Sequence, residues 1–502
     1  MNWRIKSIEA ILATSERRPL RRSLGAMHLT LMGIGSVIGS GIFVLTATAA
    51  QKAGPAMILS FIIAGIVCAA TALCYAELAA MVPAAGSAYT YVYAVFGEVL
   101  AWTVGWALIV EYSVAAAAVS VGWSGYLVAL LQHSFGVSLP KSLSAGYFAG
   151  GVINLPAALL ALSVSALLVV GNRASARVNA ICVAIKISAL TMFMVLALPA
   201  VRAENFLPFA PTGFSGVGGA AASIFFAYVG FDAISTTAEE TRNPQRNVPI
   251  GIIATITVCT VFFVAVAIAV IGAGGAQPVL DLISGHALAT GSAEFAAACS
   301  ATPVGQTLAC STDPLAHVLR GLNWPTAARL VGLAAFVALP SVLLMMFFGQ
   351  TRVFFAMARD GLLPPVLSKV HERFKTPYVV TLFAGIVVTI GAALFPIGQL
   401  ADLSNAGTLF AFVAVVLGVM FLRRDKPERA RVFRTPGLWV IGPVAVAGCS
   451  YLFFSLSLFT QCAFAMWSLV GLAVYMSYGR KHSLLASAEE RSRAPLVTSV
   501  TD

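Results

Sequence analysis

Long apolar stretches, separated by short polar segments, follow one another along almost the whole chain. A bilayer core of about 30 Å requires roughly 20 mostly apolar residues per helix. Stretches of this kind predict twelve transmembrane spans, numbered one to twelve here, at 27–50, 56–80, 99–131, 155–173, 178–199, 217–238, 249–273, 326–358, 377–395, 398–422, 437–460 and 462–478. The pattern therefore predicts an all-α integral membrane protein.

Composition supports this class. Of 502 residues, 59% are hydrophobic and only 10% are charged.

Residues 1–26 are polar and basic, and the first apolar stretch is too long for the apolar region of a signal peptide, so we expect span one to be retained. The segments 1–26 and 479–502 are expected to be cytoplasmic, and the end of the tail to be disordered.

The net charge of +11 is explained by topology. If the amino terminus is cytoplasmic, 25 of the 31 Lys and Arg fall in cytoplasmic segments and Lys186 lies within a span. The remaining basic residues are external, namely Lys52, Lys141, Arg202, Arg320 and Arg329. This is the positive-inside bias of membrane proteins. It predicts a multi-pass protein of the cytoplasmic (inner) membrane with both termini inside, surrounded by lipid, and it removes the reason to expect a nucleic-acid partner.

Span one is interrupted by a glycine-rich polar run from Gly33 to Phe43, with the sequence GIGSVIGSGIF. Such a break is tolerated at membrane depth only where the freed backbone groups are buried in protein or face a watery cavity. Span six contains a matching irregularity, FFAYVGFDAIS, from Phe225 to Ser235. Two broken helices five spans apart predict an inverted repeat with a substrate site near the midplane.

A zwitterionic amino acid suits both sides of such a site. Its carboxylate is expected to meet unpaired amides at a helix amino terminus, where the dipole favours an anion; these are the amides of Gly39, Ser40 and Gly41. Its ammonium is expected to meet carbonyls of span one, near Gly35 and Ile38, and of span six, near Phe226, Ala227 and Val229.

Longer strings carry a family resemblance over roughly residues 20–480. They are FFAYVGFDAISTTAEETRNPQRNVPIGI from Phe225, GQTRVFFAMARDGLLP from Gly349 and RRDKPERARVFRTP from Arg423. With the span-one run, they resemble the amino acid, polyamine and organocation superfamily, specifically its cationic amino acid transporter branch. The resemblance implies a LeuT-type fold, alternating-access uptake without nucleotide hydrolysis, and a substrate backbone held at the two breaks.

The implied organisation is a five-helix repeat, a second and inverted five-helix repeat, and two peripheral helices. The expected boundaries are 27–200, 217–422 and 437–478. On the cytoplasmic side, the family pattern suggests that the loop 239–249 and the cluster of Arg352, Arg359 and Asp360 hold an inner gate by ion pairs, although membrane-surface charges would give the same pattern.

Lys186 lies about 12 Å from the inner end of span five, at 1.5 Å per residue. An ionisable residue inside a span costs about 2.5 to 3.5 kcal/mol on insertion scales and is a functional hypothesis by default. An amine there can alternate between charged and neutral forms and so couple transport to protons. In the family, a lysine on the fifth helix resembles a stand-in for sodium. The alternative is a static ammonium that satisfies carbonyls of spans one and eight.

Expectations also follow for five further residues of the spans. Glu111, near the middle of span three, resembles a glutamate of cationic transporters and is expected to favour cationic side chains; the alternative is a packing hydrogen bond. Phe231 matches the aromatic residue that closes over substrate, or is an ordinary packed aromatic. Asp232 is expected to cap the outer half-helix of span six. Glu77 and Asp402, toward span ends, are expected to face polar neighbours or the interface without touching substrate.

No zinc spacing, phosphate-binding loop or nucleophile motif occurs, so neither an enzyme nor a cofactor is predicted. Cys299 and Cys310, in the external loop 274–325, are equally compatible with a disulfide and with two free thiols.

The function predicted is proton-coupled uptake of L-amino acids. Arginine, lysine and ornithine are favoured, with small neutral amino acids or exchange as alternatives. A channel or receptor, and a small single-span accessory subunit, remain open.

Overall fold

The computed structural model describes most of the chain. The described residues are 4–9, 11, 24–83, 86–170, 176–281, 286–290, 292–301, 307–369, 371–372 and 376–486, without the side chains of Ala176, Arg177, Glu239 and Ala293. Much of the predicted segment 1–26 and the tail after Ala486 lie outside them.

The described residues form helices joined by short connections, with no strand beyond isolated bridges. The main helices are α1 Ala26–Val37, α2 Ser40–Ala53, α3 Met57–Met81, α4 Ser87–Phe96, α5 Glu98–Phe135, α6 Leu155–Val170, α7 Ala176–Ala197, α8 Gly213–Ile224, α9 Ala233–Thr236, α10 Pro244–Gly274, α11 Pro325–Arg359, α12 Tyr378–Leu394, α13 Ile397–Asp425, α14 Leu438–Phe454 and α15 Leu458–Val474.

Helical structure overlaps every predicted span. In the described part of the chain, eight helical stretches are long and apolar enough to cross a membrane, and α6, α12 and α14 are shorter apolar helices. The prediction of an all-α membrane protein is confirmed at this level. α4, which was not predicted, is a separate short helix between spans two and three.

Both predicted breaks are present. Span one leaves the helix at Ile38, whose φ is −73° and ψ is 90°, and at Gly39, whose φ is −140°, before α2 begins. Span six passes from α8 into a 3-10 turn, Phe225–Tyr228, and then reaches Gly230 with a φ of +117° before α9. A side chain is strained at such a positive φ, so glycine is required there. The two irregular segments lie within otherwise helical spans.

The face of the bundle that carries residues 4–9 and the end of α15 is called the terminal face here. Arg4 donates to the carbonyl of Arg480, which brings the two ends of the described chain together. Lys6 Nζ lies 2.7 Å from Asp360 Oδ1 at the end of α11, and Ile8 is only 4% exposed. This amino-terminal segment is therefore packed against the bundle.

Arg352 of α11 makes a further ion pair at the terminal face. Arg352 pairs with Glu240, beyond α9, and donates to the carbonyl of Thr236 at 2.9 Å. Its guanidinium carbon lies 4.0 Å from the ring centre of Phe348. Arg352 and Asp360, two of the charges predicted to make ion pairs, are thus paired, whereas Arg359 has a buried Nε without a hydrogen-bond partner.

The opposite face carries the bond between Cys299 and Cys310, and is called the disulfide face here. Of the two alternatives for these cysteines, the structure contains the disulfide. Between it and the helices lies an open cavity of about 400 Å³, lined in part by Thr48 of α2, Gly122 of α5 and Gln399 of α13.

Candidate functional site

The two broken helices touch each other at their breaks. A β-carbon built on Gly41 would come within 2.3 Å of Ala227 Cα, so the start of α2 packs directly on the backbone of span six. Ser36 Oγ donates at 2.9 Å to the carbonyl of Gly33 and at 2.9 Å to the carbonyl of Gly230. The breaks predicted separately from sequence therefore form one site.

Helix-terminal amides line one side of this site. The first amides of a helix have no partner within it, and for α2 these include the amides of Ser40 and Gly41. The hydroxyl of Ser40 is buried and has no hydrogen-bond partner. Together with the positive end of the helix dipole, these donors form a place for an anionic group such as a carboxylate.

Two of the carbonyls predicted for the ammonium accept hydrogen bonds within the protein. The carbonyl of Gly35 accepts from Lys186, and the carbonyl of Phe226 accepts the amide of Val229 at 3.3 Å. The Ile38 amide continues the helix pattern by bonding the Ile34 carbonyl at 2.8 Å. Because a carbonyl oxygen has two lone pairs, one bond leaves each of these oxygens able to accept another donor.

Lys186 reaches the break in span one from α7. It is fully buried, and its Nζ donates to the carbonyl of Gly35 at 2.7 Å. Asn179 and Val183, on the same helix, also approach Gly35 closely. No carboxylate of the described residues pairs with this ammonium. The predicted contact of Lys186 with span one is present, whereas among the described residues Lys186 donates no hydrogen bond to a carbonyl of α11.

Glu111 is also fully buried, on α5, and it faces α13. A β-carbon on Gly407 would lie 3.3 Å from Glu111 Cβ, and Ser404 Oγ donates to the Glu111 carbonyl at 3.2 Å. Neither carboxylate oxygen of Glu111 has a hydrogen-bond partner among the described residues. The side chain thus lies at a helix interface beside the two breaks.

Asp232 does not cap α9, and this prediction is wrong. Its side chain makes no capping hydrogen bond, and its φ of −64° and ψ of −28° are helical. A capping residue usually has extended geometry, which turns its side chain back onto the free amides. Instead, Oδ2 accepts the hydroxyl of Tyr112 at 2.6 Å, while Oδ1 has no partner. Asp232 therefore joins span six to α5.

Glu111 and Asp232 stand apart from the other buried carboxylates of the described chain. Each of the others has a basic partner: Glu77 with Arg423, Glu98 with Arg4, Asp313 with Arg320, Asp360 with Lys6, and Asp402 with Lys52. A buried carboxylate without a partner is strongly unfavourable. The pair therefore marks a place for a proton or another cation.

Phe231 lies between aromatic rings at the break in span six. It is fully buried, with its ring centre 5.8 Å from that of Tyr75 and 5.2 Å from that of Phe412. Both distances fall in the range of favourable aromatic pairs. The ring is therefore enclosed by α3 and α13.

Asp402 and Glu77 have polar neighbours, as predicted. Asp402 Oδ2 lies 3.3 Å from Lys52 Nζ and Asp402 Oδ1 accepts Ser223 Oγ at 2.5 Å, which joins α2, α8 and α13 toward the disulfide face. Glu77 instead accepts Arg423 at the terminal end of α3. Sequence reasoning missed the pairing of Lys52 with Asp402, because their distance of 350 positions along the chain gives no local signal.

Sequence reasoning also missed Ser36, Tyr75 and Tyr112. Ser36 had a signal, because it is a polar residue inside the glycine-rich run. The two tyrosines had none, since aromatic residues are common in apolar helices.

These features define a class: a multi-pass helical membrane protein whose central site is built from the breaks of two helices. No group of His, Cys, Asp or Glu in the described part of the chain is arranged to hold a metal ion. The chain belongs to the amino acid permease family, whose model matches residues 24–477, within the amino acid, polyamine and organocation superfamily. It is thus a member of a family of transporters.

Curated relatives resemble the chain over most of its length. The branched-chain amino acid permease BcaP of Bacillus subtilis is 43% identical over 492 residues, covering 96% of this chain and 98% of the relative. The methylthioribose transporter of the same organism is 40% identical over 486 residues, covering 96% of this chain and 99% of that transporter. Cationic amino acid transporter 4 of Mus musculus is 34% identical over 444 residues, covering 86% of this chain and 65% of that transporter.

Proposed function

We propose that this protein is a secondary active transporter that takes up L-amino acids together with protons by alternating access. The contact between the two breaks, at Gly41 and Ala227, is the observation that carries the proposal. It brings free helix-terminal amides and irregular backbone together at one buried place. A site of this kind binds the carboxylate and ammonium that all amino acids share.

The proposal includes a LeuT-type arrangement of twelve spans in the cytoplasmic membrane, with cytoplasmic termini. The inverted repeats are 27–200 and 217–422, and α14 and α15 form the peripheral pair within 437–478. In support, each broken helix is the first of its repeat, and the breaks meet. The lopsided distribution of Lys and Arg supports the orientation. A single-span accessory subunit is compatible with this arrangement.

Within the site, we assign the substrate carboxylate to the amides of Gly39, Ser40 and Gly41. The substrate ammonium is assigned to carbonyls near Gly35, Ile38, Phe226, Ala227 and Val229. Phe231 closes over the bound molecule. The unpaired hydroxyl of Ser40 supports the first assignment, because a buried donor without a partner is unfavourable and a carboxylate would satisfy it.

Lys186 is the proposed coupling residue. Its ammonium donates to the carbonyl of Gly35, within the substrate site, so loss of its proton removes a bond from the segment that holds the substrate. Substrate binding and protonation are thereby linked through the break in span one. A fully buried amine without a carboxylate partner is also the kind of group whose charge is easily lost.

The side chain of the substrate follows from the charge balance of the site. If Glu111 holds a proton, Lys186 and Asp232 balance each other and the site fits a zwitterion with an uncharged side chain. The lack of a hydrogen-bond partner for either carboxyl oxygen of Glu111 supports this arrangement, because a buried, unpartnered carboxylate is strongly unfavourable. The 43% identical relative is named for branched-chain amino acids. We therefore propose neutral amino acids, branched-chain ones first, as substrates.

Cationic amino acids, favoured by the sequence, are the second candidate. If Glu111 and Asp232 are both ionised, they carry one negative charge more than Lys186, and a cationic side chain would neutralise it. In that case the substrate side chain would supply the basic partner that both carboxylates lack among the described residues. Relatives 32–34% identical to the chain include several named for cationic amino acids.

Uptake into proteoliposomes tests the proposal. Labelled L-valine, L-alanine and L-arginine are supplied with and without an imposed inward proton gradient, in the presence and absence of sodium. We expect valine to accumulate only with the gradient, and arginine to compete weakly. Preferential arginine uptake would support the second candidate. Counterflow without a response to the gradient would identify an exchanger, and no saturable transport of any amino acid would refute the proposed function.

A further inference from the structure

The hydroxyl of Tyr75 has no role in the function proposed above, although its ring borders the proposed gate. Tyr75 lies on α3 and is fully buried. Its ring centre is 5.8 Å from that of Phe231 and 5.7 Å from that of Phe412, and both pairs are edge-to-face. Tyr75 therefore forms one wall of the space that encloses Phe231.

The hydroxyl of Tyr75, at the far end of its ring, is hydrogen-bonded to the beginning of α4. The hydroxyl lies 2.5 Å from Ser87 Oγ and accepts the amide of Ala88 at 3.1 Å. The hydroxyl oxygen of Ser235, in α9, lies 3.1 Å from the same Ser87 Oγ, within hydrogen-bond distance. One group of hydrogen bonds thus joins α3, the beginning of α4 and the half of span six that follows Phe231.

Ser87 is itself held in an unusual conformation. It is fully buried and has a φ of +52°, in the left-handed region that residues with a side chain rarely adopt. Such a conformation persists only where surrounding contacts hold it. Here the hydroxyls of Tyr75 and Ser235 are among those contacts. The start of α4 therefore depends on the position of Tyr75.

We propose that Tyr75 is a positioning residue that couples the closed position of the Phe231 ring to the packing of α4 at the terminal face, through Ser87. The inference rests on the proposed function, because it assumes that Phe231 moves during transport. Close packing means that this ring leaves its position only if a bordering ring also moves. When Tyr75 is the ring that moves, its bonds to Ser87 and Ala88 break, and movement of the gate releases α4.

The test separates the hydroxyl of Tyr75 from its ring. Tyr75→Phe keeps the aromatic contacts but removes the link to α4, and Ser87→Ala removes the same hydrogen bond from the other side. Tyr126→Phe is a matched control. Its buried hydroxyl donates to the carbonyl of Phe43 at 2.7 Å, on the part of α5 toward the disulfide face.

The first measurement is hydrogen–deuterium exchange of Ser87–Phe96 in purified protein in nanodiscs. One buried hydrogen bond corresponds to roughly a twofold to tenfold change in an equilibrium. We therefore expect Tyr75→Phe and Ser87→Ala each to speed exchange in α4 by about that factor. The double variant should be faster than either, but by less than the product of the two effects, because the two substitutions share the bond between Tyr75 and Ser87. Tyr126→Phe is expected to leave exchange in α4 unchanged.

The second measurement is uptake of valine. Loss of the link favours a state opened at the terminal face, so the fraction able to bind external substrate falls. We expect Tyr75→Phe to raise KM about twofold to tenfold, with the maximal rate within about twofold of wild type. A purely structural role would instead lower the maximal rate and leave KM unchanged.

The outcomes separate this inference from the proposed function. Wild-type exchange in α4 with wild-type KM in Tyr75→Phe would overturn the coupling role, even if valine is transported. If the wild-type protein transports no amino acid, the proposed function fails, and the exchange data alone decide whether Tyr75 holds α4. Equal acceleration of exchange by Tyr126→Phe would also overturn the inference.

Discussion

Gly41 lies so close to Ala227 that a β-carbon on Gly41 would come within 2.3 Å of the Ala227 Cα. Backbone atoms stand on the Ala227 side of this contact, so no flexible side chain can move aside. The start of α2 and the 3-10 turn of span six therefore hold each other in place, and with them the two halves of the proposed substrate site.

The first prediction concerns this contact. Gly41→Ala forces the two breaks apart, because overpacking of a close-packed interior costs about 1 to 3 kcal/mol or more. We expect a lower thermal unfolding midpoint and an uptake rate reduced at least tenfold. Thermal unfolding in detergent and uptake into proteoliposomes measure the two effects.

Gly219→Ala is the matched control for Gly41→Ala. Gly219 lies in α8, and the nearest atom to its β-carbon position is the Ser455 carbonyl oxygen at 3.9 Å. Alanine fits there and has the higher helix propensity. Equal losses in both variants would contradict the importance of the contact between Gly41 and Ala227.

The second prediction concerns proton coupling. Lys186→Ala removes the ammonium that donates to the Gly35 carbonyl at 2.7 Å. We expect uptake driven by the proton gradient to fall to background, while counterflow of preloaded amino acid persists, because the carboxylate site at α2 remains. Lys369→Ala, at an exposed position, is the control. Full gradient-driven uptake by Lys186→Ala would exclude Lys186 from coupling.

The third prediction concerns the charge of Glu111. If this carboxyl is protonated, Glu111→Gln replaces it with an uncharged group of nearly the same shape, so the KM for valine should change less than about threefold. Glu204→Gln, on the surface, is the control. Competition between valine and arginine provides the measurement. A large loss of arginine binding, with valine binding intact, would favour ionised Glu111 and cationic substrates.

The fourth prediction concerns the link between Lys52 and Asp402, 3.3 Å apart toward the disulfide face. The ion pair of Lys6 with Asp360 lies at the terminal face, so the structure contains one such link at each face. We expect Lys52→Gln and Asp402→Asn each to change the KM for external substrate, because each loosens the connection of α2 to α13.

A double-mutant cycle checks this fourth prediction. The double variant of Lys52 and Asp402 should resemble the more affected single variant, since both substitutions remove one interaction. Lys141→Gln, an exposed position on the same face, is expected to leave KM unchanged. Additive effects of the two substitutions would show that the residues act independently.

Much of the architecture was predictable because its causes are local in the chain. Apolar length determines which segments are helices in a membrane, and the glycine-rich run from Gly33 predicts the break at Ile38 and Gly39. The irregular backbone near Gly230 was predicted for the same reason. The depth of Lys186 in its span was also predictable, whereas its contact with span one was expected only in the alternative of a static ammonium.

Other features were decided only by tertiary structure. The partners of Asp232 and Asp402 are Tyr112 on α5 and Lys52 on α2, which are distant in sequence. A carboxylate before a short helix resembles a cap in sequence, and the helical geometry of Asp232 excluded that role. The choice between a disulfide and free thiols at Cys299 and Cys310 was settled in the same way.

The sequence by itself determined an all-helical membrane protein, the places where two of its helices break, and the charges that lie within its spans. Tertiary structure decided that the breaks meet at Gly41 and Ala227, and which buried carboxylates obtain a basic partner. The physical reason is that helix formation and backbone weakness depend on neighbouring residues, whereas hydrogen bonds and ion pairs depend on which helices pack together.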